Sequence, residues 1–144
     1  MTKENRIKLF LVDDDVLFLK ALEIDFMQNT ESDIRTFVSG ELCMEHITQN
    51  PDVIILDYHL NSININAING LETLIRIKAF DPEIPVIMLS SQDKIEVAVN
   101  CMKHQAFDYI VKSETAFLRL QRAITTVFHY QKIEKALSWY MEKM

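Results

Sequence analysis

Residues 51–58 read Pro-Asp-Val-Ile-Ile-Leu-Asp-Tyr. Val53, Ile54, Ile55 and Leu56 form an unbroken apolar run, mostly β-branched, and the run stops at Asp57. Such a run predicts a strand buried on both faces, as in a parallel sheet covered by helices. Asp57 then stands at the carboxyl end of a central strand. In open α/β sheets that edge is where ligands bind.

Other short apolar runs extend the pattern. Residues 8–12, KLFLV, predict a first strand that runs into Asp13, Asp14 and Asp15. Residues 34–38, IRTFV, mix polar and apolar side chains and predict an edge strand. Residues 84–89, IPVIML, end in Ser90-Ser91, and residues 107–111, FDYIV, end at Lys112. Helices are expected between them. Phe18, Leu22 and Phe26 mark the inner face of the first helix. Ser39 caps a second that runs to about Gln49. Asn69 and Glu72 form a capping box for a third, with Leu71, Leu74 and Ile75 facing inward. Asp93 and Glu96 cap a fourth, with Ile95, Ala98, Val99 and Met102 facing inward. A fifth starts near Thr115 and continues to the end. Residues 60–69, LNSININAIN, have no helical period and read as a long strand-to-helix loop. Strands alternating with helices predict an α/β fold: a doubly wound, five-stranded parallel sheet with helices on both faces.

Bulk properties narrow the function. The 144 residues suit one domain with one substantial core. A net charge of −6 argues against a nucleic-acid surface, which needs clustered Lys and Arg. No apolar run nears the roughly 20 residues that span a bilayer, and Leu9–Val12 is too short for a signal-peptide core. Cys43 and Cys101 lack a metal-type spacing and read as reduced, buried helix residues of a cytoplasmic protein. His46, His104 and His129 fall in helical segments and read as surface or satisfied residues.

The strand ends bring Asp13, Asp14, Asp57, Ser90 and Lys112 to one crevice. Three carboxylates ionise together only beside a cation. Oxygen ligands without His or Cys favour a hard ion, and Mg²⁺ is the natural choice. A metal, an ammonium for an anion and a carboxylate nucleophile point to phosphoryl transfer onto Asp57.

In order along the chain, VDDD, ILD, MLSS and DYIVK resemble the receiver domain of two-component response regulators, over roughly residues 6–130. The resemblance implies a flavodoxin-like strand order, 2-1-3-4-5, as in the family's chemotaxis regulator. It implies Asp57 as phosphoacceptor. Mg²⁺ would be held by Asp14, Asp57 and the His59 backbone carbonyl, with Asp13 acting through water. It assigns Ser90 to follow the phosphoryl group, Lys112 to pair with it, and Tyr109 to swing inward when Ser90 moves. His59 and Gln92 fall where such proteins tune dephosphorylation. The implied partners are a sensor histidine kinase or phosphotransfer protein, and a downstream partner or output domain at the face of helix four, strand five and helix five.

Three features depart from the family's pattern: the segment after the acceptor, the residues before strand five and the residue after Lys112. Leu60-Asn61 stands where Met-Pro is common, and Gly70 arrives about five residues late. Gln105-Ala106 replaces a common Gly, and Ser113 replaces the Pro after Lys112, so the bond into residue 113 is expected trans. The receiver unit is read as 1–130. Residues 131–144 extend the last helix, where Ile133, Leu137, Tyr140 and Met144 suggest a dimer seam or an interdomain link. The competing functions are a phosphate-independent binding adaptor on the same fold and an aspartate-nucleophile phosphatase. The phosphatase commonly needs an acid at the position of His59. A flavin carrier would need a hydroxyl-rich loop where Asp13–Asp15 stand.

Overall fold

A computed structural model describes residues 6–144. Its parallel sheet has five strands: β1 (Ile7–Val12), β2 (Ser32–Phe37), β3 (Val53–Asp57), β4 (Val86–Ser90) and β5 (Asp108–Val111). Their order is 2-1-3-4-5, as the resemblance implied, and β2 is an edge strand. The helices are α1 (Val16–Asn29), α2 (Gly40–Glu45), α3 (Gly70–Phe80), α4 (Ile95–Lys103) and α5 (Ala116–Lys143).

Strand alternation builds two cores from the same apolar runs. Leu9, Leu11, Val53, Ile55, Ile87 and Leu89 face one way and pack with Leu19, Leu22 and Phe26 of α1 and Leu120, Ile124 and Val127 of α5. Phe10, Val12, Ile54, Leu56, Val86 and Met88 face the other way and pack with α2, α3 and α4. All five residues of β3, and all five of β4, are buried. This is why neither run shows an apolar–polar alternation.

Several local expectations need correction. The expected inner face of α4 is mostly its outer face: Ile95, Val99 and Met102 are 74%, 46% and 47% exposed. Cys101 is the buried residue of α4, with Val97 packed partly against the core. The apolar residues form one stripe a little over half the helix wide, opposite Glu96, Asn100 and Lys103, and the core covers only one edge of it. Asp93 and Glu96 form no capping box, since α4 starts after Lys94 with no side-chain cap. On α3, Ile75 is exposed and Thr73 and Ile77 are buried beside Leu74. Asn69 caps α3 by accepting the Glu72 N–H at 2.8 Å, but the Glu72 side chain pairs with Arg76 instead of returning to the cap. The second helix breaks at His46 and ends in a 3-10 turn, Ile47–Gln49, closed by left-handed Asn50.

Both cysteines are buried and unpaired, and burial pushes their thiols up to about 12 at Cys43 and about 11 at Cys101. His46 and His104 each bond a backbone carbonyl four residues earlier. No helix among the described residues is long and apolar enough to cross a membrane.

Candidate functional site

Strand register assembles the site. Val12 lies opposite Leu56, Asp57 opposite Leu89, and Ser90 opposite Val111. The residues that follow these pairs therefore share one edge. Backbone hydrogen bonds hold the chain there for one step past the strands: Tyr58 N–H to Leu89 O at 2.9 Å, and Lys112 N–H to Ser90 O at 2.7 Å. Asp13, Asp14, Asp57, Ser90 and Lys112 thus converge, as their spacing in sequence predicted.

Asp13, Asp14 and Asp57 are all buried, and each offers a carboxylate oxygen within 4.8 Å of the others. Asp15 differs from its neighbours. It is exposed and caps α1, accepting the Phe18 N–H at 3.2 Å. One acid of the run is thus a solvated helix cap, and the other two belong to the cluster.

Lys112 Nζ stands 2.9 Å from Asp13 Oδ2 and 3.5 Å from Asp57 Oδ1. Among the described residues, the Lys112 ammonium is the one positively charged partner of these two enclosed oxygens. The ammonium also lies over the Phe18 ring, 4.4 Å from its centre. This support went unread in the sequence, where Phe18 registered only as a helix-face residue. The bond into Ser113 is trans, as expected, and Lys112 still reaches both acids.

The electrostatics are unbalanced. Burial, and then repulsion from Asp13, raises the Asp57 carboxyl to about 7, against opposing pulls from Lys112 and the His59 amide. Burial works against the charge on Lys112, but Asp57 and Asp13 hold its pKa above the ordinary value. One ammonium faces three carboxylates. Clustered buried carboxylate oxygens and excess negative charge are the conditions that an oxygen-ligated divalent cation satisfies. The donor set therefore fits Mg²⁺.

Ser90 is fully buried, and its Oγ accepts the Gln92 N–H at 3.0 Å. The Tyr109 hydroxyl donates to the Gln92 carbonyl at 2.5 Å, which places the half-buried ring next to Ser90. Burial holds the Tyr109 phenol above its ordinary pKa. The Gln92 contacts are made by its backbone, and Ser91 rather than Gln92 lines the cleft over Asp57. His59 also lines that cleft; its ring stands edge-on to Tyr58, and its enclosed Nε2 has no hydrogen-bond partner.

The cleft measures about 630 Å³, and its walls include Val16, Leu17, Ser62 and Ile63. Ser62 was not anticipated: its backbone N–H donates to Asp14 Oδ2 at 3.0 Å. Gly70, late in sequence, packs directly on the acceptor segment. Its N–H bonds the Tyr58 carbonyl at 2.9 Å, and a Cβ there would overlap the Asp57 carbonyl oxygen and the Tyr58 backbone. The extra residues are looped out ahead of it, so α3 begins where close packing demands a glycine.

A parallel sheet carrying buried acids at its carboxyl edge defines a class, and comparison with known proteins narrows it. A model of the response regulator receiver domain matches residues 9–140. The chain belongs to that family. It is 33% identical over 117 residues to the protein-glutamate methylesterase/protein-glutamine glutaminase of Clostridium acetobutylicum, covering 78% of this chain and 32% of that protein. It is 29% identical over 112 residues to the transcriptional regulatory protein ZraR of Escherichia coli K12, covering 78% of this chain and 24% of that protein. It thus spans a third or less of either relative. A receiver domain protein from Clostridium thermocellum superimposes with a TM-score of 0.77 at 25% identity, covering 88% of this chain and 98% of that one.

Proposed function

We propose that this receiver domain is phosphorylated on Asp57 by a histidine kinase or a histidine phosphotransfer protein, and that the aspartyl phosphate switches partner binding. The observation that carries this reading is the buried cluster of Asp13, Asp14 and Asp57 with Lys112 against it. An Asp57 carboxylate oxygen attacks the phosphorus of a phosphohistidine. The O–P bond forms, the P–N bond breaks, and the imidazole leaves with the electron pair. Lys112 stabilises negative charge on the transferring group. Mg²⁺ held by Asp14, Asp57 and the His59 carbonyl, with Asp13 acting through water, would supply further charge neutralisation there. In this role the chain catalyses only its own phosphorylation and dephosphorylation, and His59 and Gln92 tune the latter.

The product adds charge and acceptor oxygens at the cleft. Ser90 turns from the Gln92 amide toward the phosphoryl group, and Tyr109 leaves the Gln92 carbonyl for the space released. Both groups touch the segment that leads into α4, which supports transmission to α4, β5 and α5. Exposed Ile95, Val99 and Met102 give that face the apolar surface a partner or output domain requires. These roles place the protein in the cytoplasm.

The deciding experiment is intact mass after incubation with Mg²⁺ and a small acyl phosphate. The wild type is expected to gain one phosphoryl group, and neither Asp57→Asn nor a chelator-treated sample to gain any. No gain with any donor would favour the phosphate-independent adaptor.

Residues 131–144 are assigned to a helical extension that joins two copies. Every residue from 132 to 144 is exposed, including Ile133, Leu137, Tyr140 and Met144 at heptad-like spacing. Truncation after Gln131 is expected to leave the fold intact and to reduce the mass in solution to one copy, with a melting temperature that no longer depends on protein concentration. An unchanged mass would count against the seam.

A further inference from the structure

The segment between Leu60 and Gly70 is tied to the rest of the fold near both ends. Near its start, the Ser62 N–H donates to Asp14 Oδ2, 48 residues away in sequence. Near its end, the Ile68 N–H donates to Glu41 Oε2 at 3.1 Å. Between these ties a small turn closes on itself, with Ala67 N–H to Asn64 O and Asn66 N–H to Asn64 Oδ1, both at 3.0 Å. Ile63 and Ile65 stand out into solvent on this turn.

The first tie bears on the site. Among the described residues, the Ser62 amide is the one hydrogen-bond donor to the Asp14 side chain. Asp14 is also one of the three acids of the cluster. A carboxylate with one oxygen held by an N–H can rotate less, so its other oxygen is aimed. Hydrogen bonds of this kind to metal ligands orient them and maintain metal affinity. The bond is charge-assisted, so it is stronger than an ordinary amide contact.

We propose that the Ser62 backbone amide is a positioning group for Asp14, so that cation binding at the acidic cluster and docking of segment 61–69 reinforce each other. The inference rests on the reading that these acids hold Mg²⁺. The coupling is reciprocal: if docking of the segment strengthens cation binding, the cation strengthens docking by the same factor. Ile63 forms part of the cleft wall beside Val16 and Leu17, so the cation also sets the wall that an incoming phosphodonor meets.

The test compares the wild type, Ser62→Ala, which keeps the amide, and Ser62→Pro, which removes it. Mg²⁺ affinity is measured by calorimetry, and backbone hydrogen exchange across 61–69 is followed with and without Mg²⁺. Ser62→Ala is expected to bind as the wild type does, and Ser62→Pro about tenfold more weakly, the scale found when a ligand's supporting hydrogen bond is lost. Mg²⁺ is expected to slow exchange at Ser62 in the wild type. Equal Mg²⁺ affinity in a folded Ser62→Pro chain would overturn the proposal. So would exchange at Ser62 that ignores Mg²⁺, a measurement that needs no variant and stands even if Ser62→Pro does not fold. Failure of the wild type itself to bind Mg²⁺ would overturn the cation reading beneath it, and is distinguishable because both variants would then show no heat either.

Discussion

At pH 8 and without divalent cations, Asp57→Asn is expected to melt above the wild type. Asp57 sits in a buried site where burial and the adjacent Asp13 raise its carboxyl from 3.8 to about 7. The folded chain therefore holds this proton more tightly than the unfolded chain. Between roughly pH 4 and pH 7 the folded state binds more protons at this group, so stability falls as pH rises through that window. Above it the full penalty remains. A tenfold difference in proton affinity is worth about 1.4 kcal/mol, which sets a ceiling of about 4 kcal/mol for the rise at Asp57. Asn removes the buried charge but also loses the attraction of Lys112. A net gain of about 2 kcal/mol, or roughly 4–8 °C for a chain of this size, is the expected result. At pH 4 the two proteins should melt nearly together, because Asp57 is then protonated in the wild type. Saturating Mg²⁺ should stabilise the wild type more than the variant. Thermal melts at both pH values, with and without Mg²⁺, check all of this. An Asn variant that melts lower at pH 8 would show that the charge is compensated in the folded chain.

The second large effect is expected at Gly70→Val. The glycine lies at the start of α3 with no positive φ, so conformational freedom is not what requires it. Space is the requirement. A Cβ would overlap the Asp57 carbonyl oxygen and lie 2.6 Å from the Tyr58 Cα. Backbone on both sides cannot rotate away as a side chain can. Either α3 moves outward, losing the Gly70–Tyr58 hydrogen bond, or the end of β3 moves and takes Asp57 with it. Overpacking of this kind costs about 1–3 kcal/mol. Mg²⁺ affinity should fall together with the melting temperature, because the displaced strand end carries a cluster ligand. A variant that loses stability but binds Mg²⁺ normally would show that the helix had yielded and not the strand.

The chemistry was legible in the sequence because a parallel sheet converts it into position. Each buried strand announces itself as an apolar run, and each run ends where the chain leaves the sheet. Asp13, Asp57, Ser90 and Lys112 could therefore be placed on one edge without coordinates. Helix faces were less legible. On α4 the apolar side chains Ile95, Val97, Val99, Cys101 and Met102 form one broad stripe opposite Glu96, Asn100 and Lys103, and the core takes only its Val97–Cys101 edge, which periodicity does not single out.

The sequence by itself determined the strand runs, their alternation with helices, the edge where the polar groups gather, and the acidic character of that edge. Only the tertiary structure decided which stripe of α4 is buried, why Gly70 falls where it does, and that Phe18 and the Ser62 amide support Lys112 and Asp14. The physical reason is common to these cases. Strand burial and chain direction are local properties written in consecutive residues. A backbone amide has no side-chain signature, and close approach between segments 48 residues apart is fixed by packing.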